Sequence, residues 1–183
     1  MSKLIIKNNC KIKPTDFEDI SFYKNNIFPE WFVKKYIDKI KWVYVSRYQT
    51  LSEQFIEKYS SELGWNNISV YQTLSEPFIE KYSNKVIWDN ISTFQKLSEE
   101  FIIKHSDEVN WNYISAFQKL SESFIENHSD EVNWYNISAK QILSEEFIEK
   151  HSDKVNWTFI ASHHNLSEEF IERNSNKLDW IYI

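Results

Sequence analysis

The stretch LSEEFIEKHSDKVNW, Leu143–Trp157, stands almost unchanged 23 residues earlier as LSESFIENHSDEVNW from Leu120. It stands again another 23 back as LSEEFIIKHSDEVNW from Leu97. Working outward, tryptophan recurs at Trp42, Trp65, Trp88, Trp111, Trp134, Trp157 and Trp180. Phenylalanine keeps the same period from Phe32 to Phe170, and glutamate from Glu30 to Glu168. A fixed period of 20–50 residues is the signature of a repeat array, in which each copy buries its apolar face against its neighbours. Copies start at Phe28, Leu51, Leu74, Leu97, Leu120, Leu143 and Leu166, and the seventh is cut short by the C-terminus.

Each copy reads as two short helices. In the copy from Leu97, Ser98 is an N-cap, followed by Glu99 and Glu100 at the positive end of the helix dipole. Leu97 and Ile102 flank that cap as a hydrophobic staple. Phe101, Ile102 and His105 then share one face by helical spacing. Pro77 falls at the second helical position of its copy, where no helical N–H bond is lost. For the second helix, Asn110, Asn133, Asn156, Asp16, Asp179 and Gly64 precede the aromatic as caps. Val109 and Ile114 form a second staple, and Trp111, Ile114 and Phe117 lie at intervals of three along one expected core face. A leucine-rich repeat also fits a period of 23. It fails on residues: the Tyr113 position holds Asn67, Asn90 and Asn136 in other copies, and the L-x-L pattern and turn glycine are missing. The expected fold is all-α, an α-solenoid of short helix-turn-helix repeats. Residues 28–183 form the array. Residues 1–27 form an N-terminal segment whose Asp16–Ser21 block resembles half a repeat, with Phe17 at the Trp position and a following loop two residues longer.

Composition agrees. Aromatics make up 17% of the chain, too many for a disordered polymer, and one Gly with three Pro implies short loops. The single Cys10 excludes an internal disulfide framework and points to a reducing compartment. Neither a run of 18 apolar residues nor a signal-peptide pattern occurs, so the expectation is a cytoplasmic protein with no membrane partner. Residues 1–47 hold ten Lys/Arg against five Asp/Glu, whereas residues 48–183 hold eleven against twenty-two. An acidic body argues against nucleic acid, which demands clustered cations.

Candidate chemistry reduces to architecture. His105, His128 and His151 form a ladder whose rungs are nearly ~10 Å apart by helix packing distances, too far to share a metal ion, which needs its ligands about 2 Å away. Tyr36, Tyr59 and Tyr82 fill the same position in earlier copies, as half-buried rings with polar tips. The glutamate row reads as dipole compensation repeated once per copy. His163 and His164 interrupt a Phe/Tyr-Gln pattern and read as drift, and Cys10 has no nearby His to activate it. Asn67-Ile68-Ser69 and its equivalents match a glycosylation acceptor only incidentally, without a secretory signal. No catalytic, metal-ligating or cofactor-binding residues are assigned.

The variable positions carry the functional reading. Away from the expected core face, successive copies present Asn66 and Val70, Asp89 and Thr93, Asn112 and Ala116, Tyr135 and Ala139, then Thr158 and Ser162. Thr73, Lys96, Lys119, Ile142 and Asn165 stand at a third such position. A constant scaffold with one changing face is how solenoids present a binding surface. The expectation is a non-enzymatic scaffold for a protein partner, with self-association through Trp180, Ile181 and Ile183 at the C-terminal end as the alternative.

The block LSEEFIEKH-S-D-x-V-x-W-x-x-I-S resembles the repeat-containing proteins of giant amoeba-infecting DNA viruses, the mimivirus group. The resemblance covers residues 28–183 and the half-repeat near Phe17, and an Asn-, Ile- and Lys-rich composition agrees with it. It implies a viral origin and brings no catalytic residues; under the scaffold expectation the partners would then be host factors.

Overall fold

The structure is a computed structural model that describes residues 4–7, 11–178 and 181. Its described residues form fourteen short α-helices, one 3-10 helix and one pair of two-residue strands. The chain divides into two compact units, Met1–Asn90 and Ile91–Ile183. Each is a stack of helix-turn-helix copies, the repeat architecture of an α-solenoid.

In the N-terminal unit, strand β1 (Leu4–Ile5) pairs in parallel with β2 (Asn26–Ile27), an element absent from the sequence reading. A 3-10 helix covers Pro14–Glu18, and α1 spans Ile20–Asn25. Then follow α2 (Glu30–Lys35), α3 (Trp42–Tyr48), α4 (Glu53–Lys58), α5 (Trp65–Tyr71) and α6 (Glu76–Lys81), with α7 (Trp88–Phe94) spanning the boundary. The C-terminal unit continues with α8 (Glu99–Lys104), α9 (Trp111–Phe117), α10 (Glu122–Asn127), α11 (Trp134–Lys140), α12 (Glu145–Lys150), α13 (Trp157–His163) and α14 (Glu168–Arg173).

Helices of six or seven residues cannot persist alone, because nucleation outweighs so few hydrogen bonds. Capping and burial stabilise them. Ser52, Ser75, Ser98, Ser121, Ser144 and Ser167 each accept the N–H of the Phe three residues on. Asn110, Asn133 and Asn156 cap α9, α11 and α13 in the same way. Gly64 supplies no side-chain cap for α5, but its N–H is held by Ser46 Oγ at 3.1 Å. The core is aliphatic: Ile56, Ile68 and Ile79 in one unit, and Ile102, Ile114, Ile125, Ile137, Ile148 and Ile160 in the other, are fully buried. Each such side chain contributes about 1.5–3 kcal/mol through burial.

The buried face of the second helix differs from the expected one. Phe117 is 58% exposed, whereas Ser115 is fully buried and Gln118 nearly so. The face is therefore Trp111, Ile114, Ser115 and Gln118, at i, i+3, i+4 and i+7. The physical reason is backbone satisfaction. Loops between copies run through the interior edge, and their N–H and C=O groups need partners away from water. Gln118 Nε2 donates to the carbonyls of Ser92 and Gln95, both at 2.8 Å, while its Oε1 accepts the N–H of Leu97 at 3.1 Å. Gln141 makes the same three bonds to Ser115, Gln118 and Leu120. Gln49 and Gln72 do so in the N-terminal unit.

Serine works in the other direction. Ser115 Oγ donates to Trp111 O at 2.6 Å and accepts the N–H of Asn133 in the next copy at 2.9 Å. Ser46 and Ser138 repeat the arrangement.

At the N-terminal end the half-repeat is present with a corrected register. Phe17 stacks on Phe32 and lies 5.3 Å from Tyr36, as a Trp does in a full copy. The two extra residues, however, fall before the serine position rather than after it. Tyr23, not Ser21, stands 23 residues before Ser46. Its buried hydroxyl donates to Phe17 O and accepts the N–H of Lys41 at 2.7 Å, and burial pushes the phenol pKa up. Asp16 is not an N-cap. It lies inside the 3-10 helix and accepts the N–H of Lys13 at 2.7 Å.

In the last complete copy, Ala161 and His164 stand where serine and glutamine would. His164 Nε2 donates to Ser138 O at 2.9 Å and so keeps one link of three. Replacing Gln118 with Ala strands three buried backbone groups at about 1–3 kcal/mol each. Gln118→Ala should therefore lower stability by roughly 3 kcal/mol or more in urea unfolding, while Phe117→Ala, a surface change, stays within about 0.5 kcal/mol. Conversely, His164→Gln should stabilise the C-terminal unit by about 1–2 kcal/mol by restoring two bonds.

Candidate functional site

Each copy has two long edges of different character. The first-helix edge is satisfied by ion pairs and caps between successive copies. Glu53 Oε1 accepts the N–H of Ser75, Glu99 that of Ser121, Glu122 that of Ser144 and Glu145 that of Ser167, at 2.5–2.6 Å. The glutamate row is thus more than dipole compensation, since these four carboxylates also cap the first helix of the following copy. Lys58 pairs with Glu30 and Lys81 with Glu57 in the N-terminal unit. Lys150 pairs with Glu126, and Arg173 with Glu149, in the C-terminal unit.

The aromatic spine lies between the edges. Trp111 stacks on Phe124 and on His128, 5.5 Å away, while Trp134 stacks on Phe147 and meets His151 at a tilt, 5.1 Å away. Tyr59 and Tyr82 meet Trp42 and Trp65 at 5.1 and 5.0 Å. Histidine and tyrosine therefore fill one structural position, a ring packed under the preceding tryptophan. The described tryptophans are half-buried, and the indole N–H of Trp65, Trp88, Trp111, Trp134 and Trp157 donates to a serine carbonyl five residues back. Among the described residues no group of His, Cys, Asp and Glu is placed to hold a metal ion. Cys10 lies outside the described residues.

The second-helix edge carries the variable positions. Asn66, Asp89, Asn112, Tyr135, Thr158 and Ser162 are exposed, while Val70, Thr93, Ala116 and Ala139 are half-buried. Two of them also bridge copies: Asn66 Oδ1 accepts from Asn90 Nδ2 at 2.9 Å, and Asn112 Oδ1 from Asn133 Nδ2 at 2.7 Å. One residue first assigned to the core, Phe117, joins the expected edge residues Tyr135 and Ile142 on this surface. Phe117 is 58% exposed, Tyr135 59% and Ile142 94%. Phe117 and Ile142, with Ala116, Lys119 and Lys140, line a cavity of about 270 Å³ floored by Gln118 and Gln141. Phe117 was hidden from sequence reasoning by its apolar character. The signal that exposes it is the invariance of its neighbour, a glutamine in five successive copies. Of the self-association residues, Trp180 and Ile183 lie outside the described residues, and Ile181 is exposed.

No helix among the described residues is long and apolar enough to cross a membrane. The first-helix pairs set a testable titration. The Lys150 ammonium donates to Glu126 and holds its carboxyl below the ordinary range. With a depressed folded pKa, any stabilisation from this exposed pair is present above the unfolded-chain value and is lost as pH falls through the folded one. Carboxyl-resolved NMR should find Glu126 titrating below an unperturbed glutamate, and Lys150→Met should move it back up.

No family model, curated protein or solved structure matches this chain.

Proposed function

We propose that the chain is a non-enzymatic repeat scaffold that binds a protein partner along its second-helix edge. The observation that carries this reading is the exposure of Phe117, Tyr135 and Ile142 on one edge of the C-terminal unit. Large apolar side chains gathered on one face mark interaction sites rather than ordinary surface. Variation supports the same reading. The structural positions hold Trp, Ile, Ser and Gln copy after copy, while the edge positions change from Asn to Tyr to Thr and from Lys to Ile to Asn. The resemblance to giant-virus repeat proteins makes host cytoplasmic proteins of an amoeba the first candidates.

Site-specific photo-cross-linking tests the reading. A benzophenone side chain at Tyr135 should give discrete protein adducts in amoebal lysate, whereas one at Ile103, an exposed apolar residue of the first-helix edge, should not. Equal adduct patterns from both positions, or none from Tyr135, would overturn it.

A further inference from the structure

The two edges of the C-terminal unit are electrostatically opposite. Of its sixteen side-chain carboxylates, fifteen lie in residues 99–109, 122–132, 145–155 and 168–178, and the sixteenth, Asp179, lies outside the described residues. The segments 91–98, 110–121, 133–144 and 156–167, which form the second helices and the loops after them, contain none. Three lysines stand in those segments, Lys96, Lys119 and Lys140, and all are exposed.

Their pairing differs from that of the first-helix cations. Lys150, Lys154 and Arg173 each meet a carboxylate of the preceding copy. Among the described residues, Lys96, Lys119 and Lys140 form no ion pair. From Ile91 to Asn165, a protein of net charge −6 thus keeps this edge free of side-chain carboxylates and leaves three lysines without an ion pair there, although Asp89 stands on the second-helix edge of the N-terminal unit.

Two of these lysines line the apolar cavity of about 270 Å³ together with Phe117 and Ile142: Lys119 in the loop after α9, and Lys140 at the end of α11. That volume falls below the roughly 300–1,000 Å³ of pockets that enclose a small molecule. It suits one apolar side chain with its backbone outside. Two ammonium groups beside an apolar anchor site select carboxylates near the anchoring residue.

Resting on the scaffold reading above, we infer that the second-helix edge at Phe117–Ile142 is the docking site for an acidic, extended protein segment. One apolar residue of that segment occupies the cavity, and flanking Asp or Glu side chains pair with Lys119 and Lys140. Phe94 and Lys96 repeat the aromatic-lysine combination one copy earlier in the same unit. Units stacked at about 8–10 Å match three residues of extended chain at ~3.3 Å each, so one segment can address successive copies. Nucleic acid fits less well. Aromatic side chains do stack bases, but a phosphate on every nucleotide calls for a continuous cationic groove, and here one lysine per copy borders rows of carboxylates.

The test uses the full chain and fluorescence polarisation. Its probes are labelled short peptides with a central Leu, Phe or Trp flanked by Asp and Glu, the same peptides flanked by Lys, and labelled oligo(dT) and oligo(U). Acidic peptides should bind, more weakly as salt rises, and Lys-flanked peptides and oligonucleotides should not. Lys119→Glu and Ile142→Ser should each weaken binding by about tenfold or more, equivalent to ~1.4 kcal/mol. Lys154→Glu, which alters net charge identically on the opposite edge, should leave it unchanged, and circular dichroism verifies that all three variants fold. Equal losses in Lys119→Glu and Lys154→Glu, preference for Lys-flanked peptides or oligonucleotides, or no binding by any acidic peptide would each overturn the inference. If Tyr135 still cross-links to protein in those cases, the scaffold reading survives with a partner of different chemistry.

Discussion

A buried glutamine reaching back into the preceding copy is the interaction on which the remaining structure depends. Gln118 and Gln141 each close three hydrogen bonds to a loop 21–26 residues earlier. Isoleucine burial supplies most of the driving force, but apolar contact is non-directional and would tolerate a slipped stack. An amide with two donors and an acceptor is directional. It is satisfied only when the loop carbonyls of the previous copy stand at one spacing, and any other spacing leaves buried polar groups unpaired. Glutamine therefore sets the register that isoleucine stabilises. Serine completes the constraint by reaching forward, so that a second helix carrying both residues, such as α9, is tied to the copy on either side.

This explains why such short helices hold together with a single glycine in the chain. No described residue adopts positive φ, and the connections between copies are extended segments whose backbone groups are taken up by side chains. The chain meets its loop requirements with glutamine, serine and glutamate instead of tight glycine turns. The N-terminal end shows the same requirement met by different residues, with the Tyr23 hydroxyl accepting the N–H that a serine accepts elsewhere.

Much of this was legible in the sequence. The period, the helix starts at Ser98 or Asn110, and the shared role of His128 and Tyr82 follow from recurrence and capping chemistry. The second-helix face was not. Local periodicity weighs apolar character, and so it chose Phe117 over Gln118. The partners that bury Gln118 lie in another copy, beyond any local window. The half-repeat failed for a related reason. Matching Ile20 and Ser21 by identity overlooked Tyr23 and Asn26, which stand 23 residues before Ser46 and Gln49 and accept or supply the same bonds. The candidate site was half legible: variable positions such as Asn112, Lys119 and Ile142 could be read from copy-to-copy differences, whereas exposure of Phe117 depended on knowing what glutamine does.

The scaffold and the proposed site share a wall. Gln118 and Gln141 floor the cavity that Phe117, Lys119, Lys140 and Ile142 surround. The amide that pins the loop after α9 to the loop after α11 also fixes the separation of the side chains projecting from those loops. Phe117 and Lys119 adjoin Gln118 on both sides, as Lys140 and Ile142 adjoin Gln141, so their backbone positions are held by the most constrained residue in each copy. Because none of the four takes part in the internal bonding, each can change without altering register. That separation between a rigid amide and free neighbours lets one edge differ from copy to copy, with Tyr71, Phe117 or His163 before the glutamine position and Thr73, Lys119 or Asn165 after it. Specificity at such an edge is therefore written in pairs of residues around an unchanging polar centre, not in the aliphatic core that stabilises the fold.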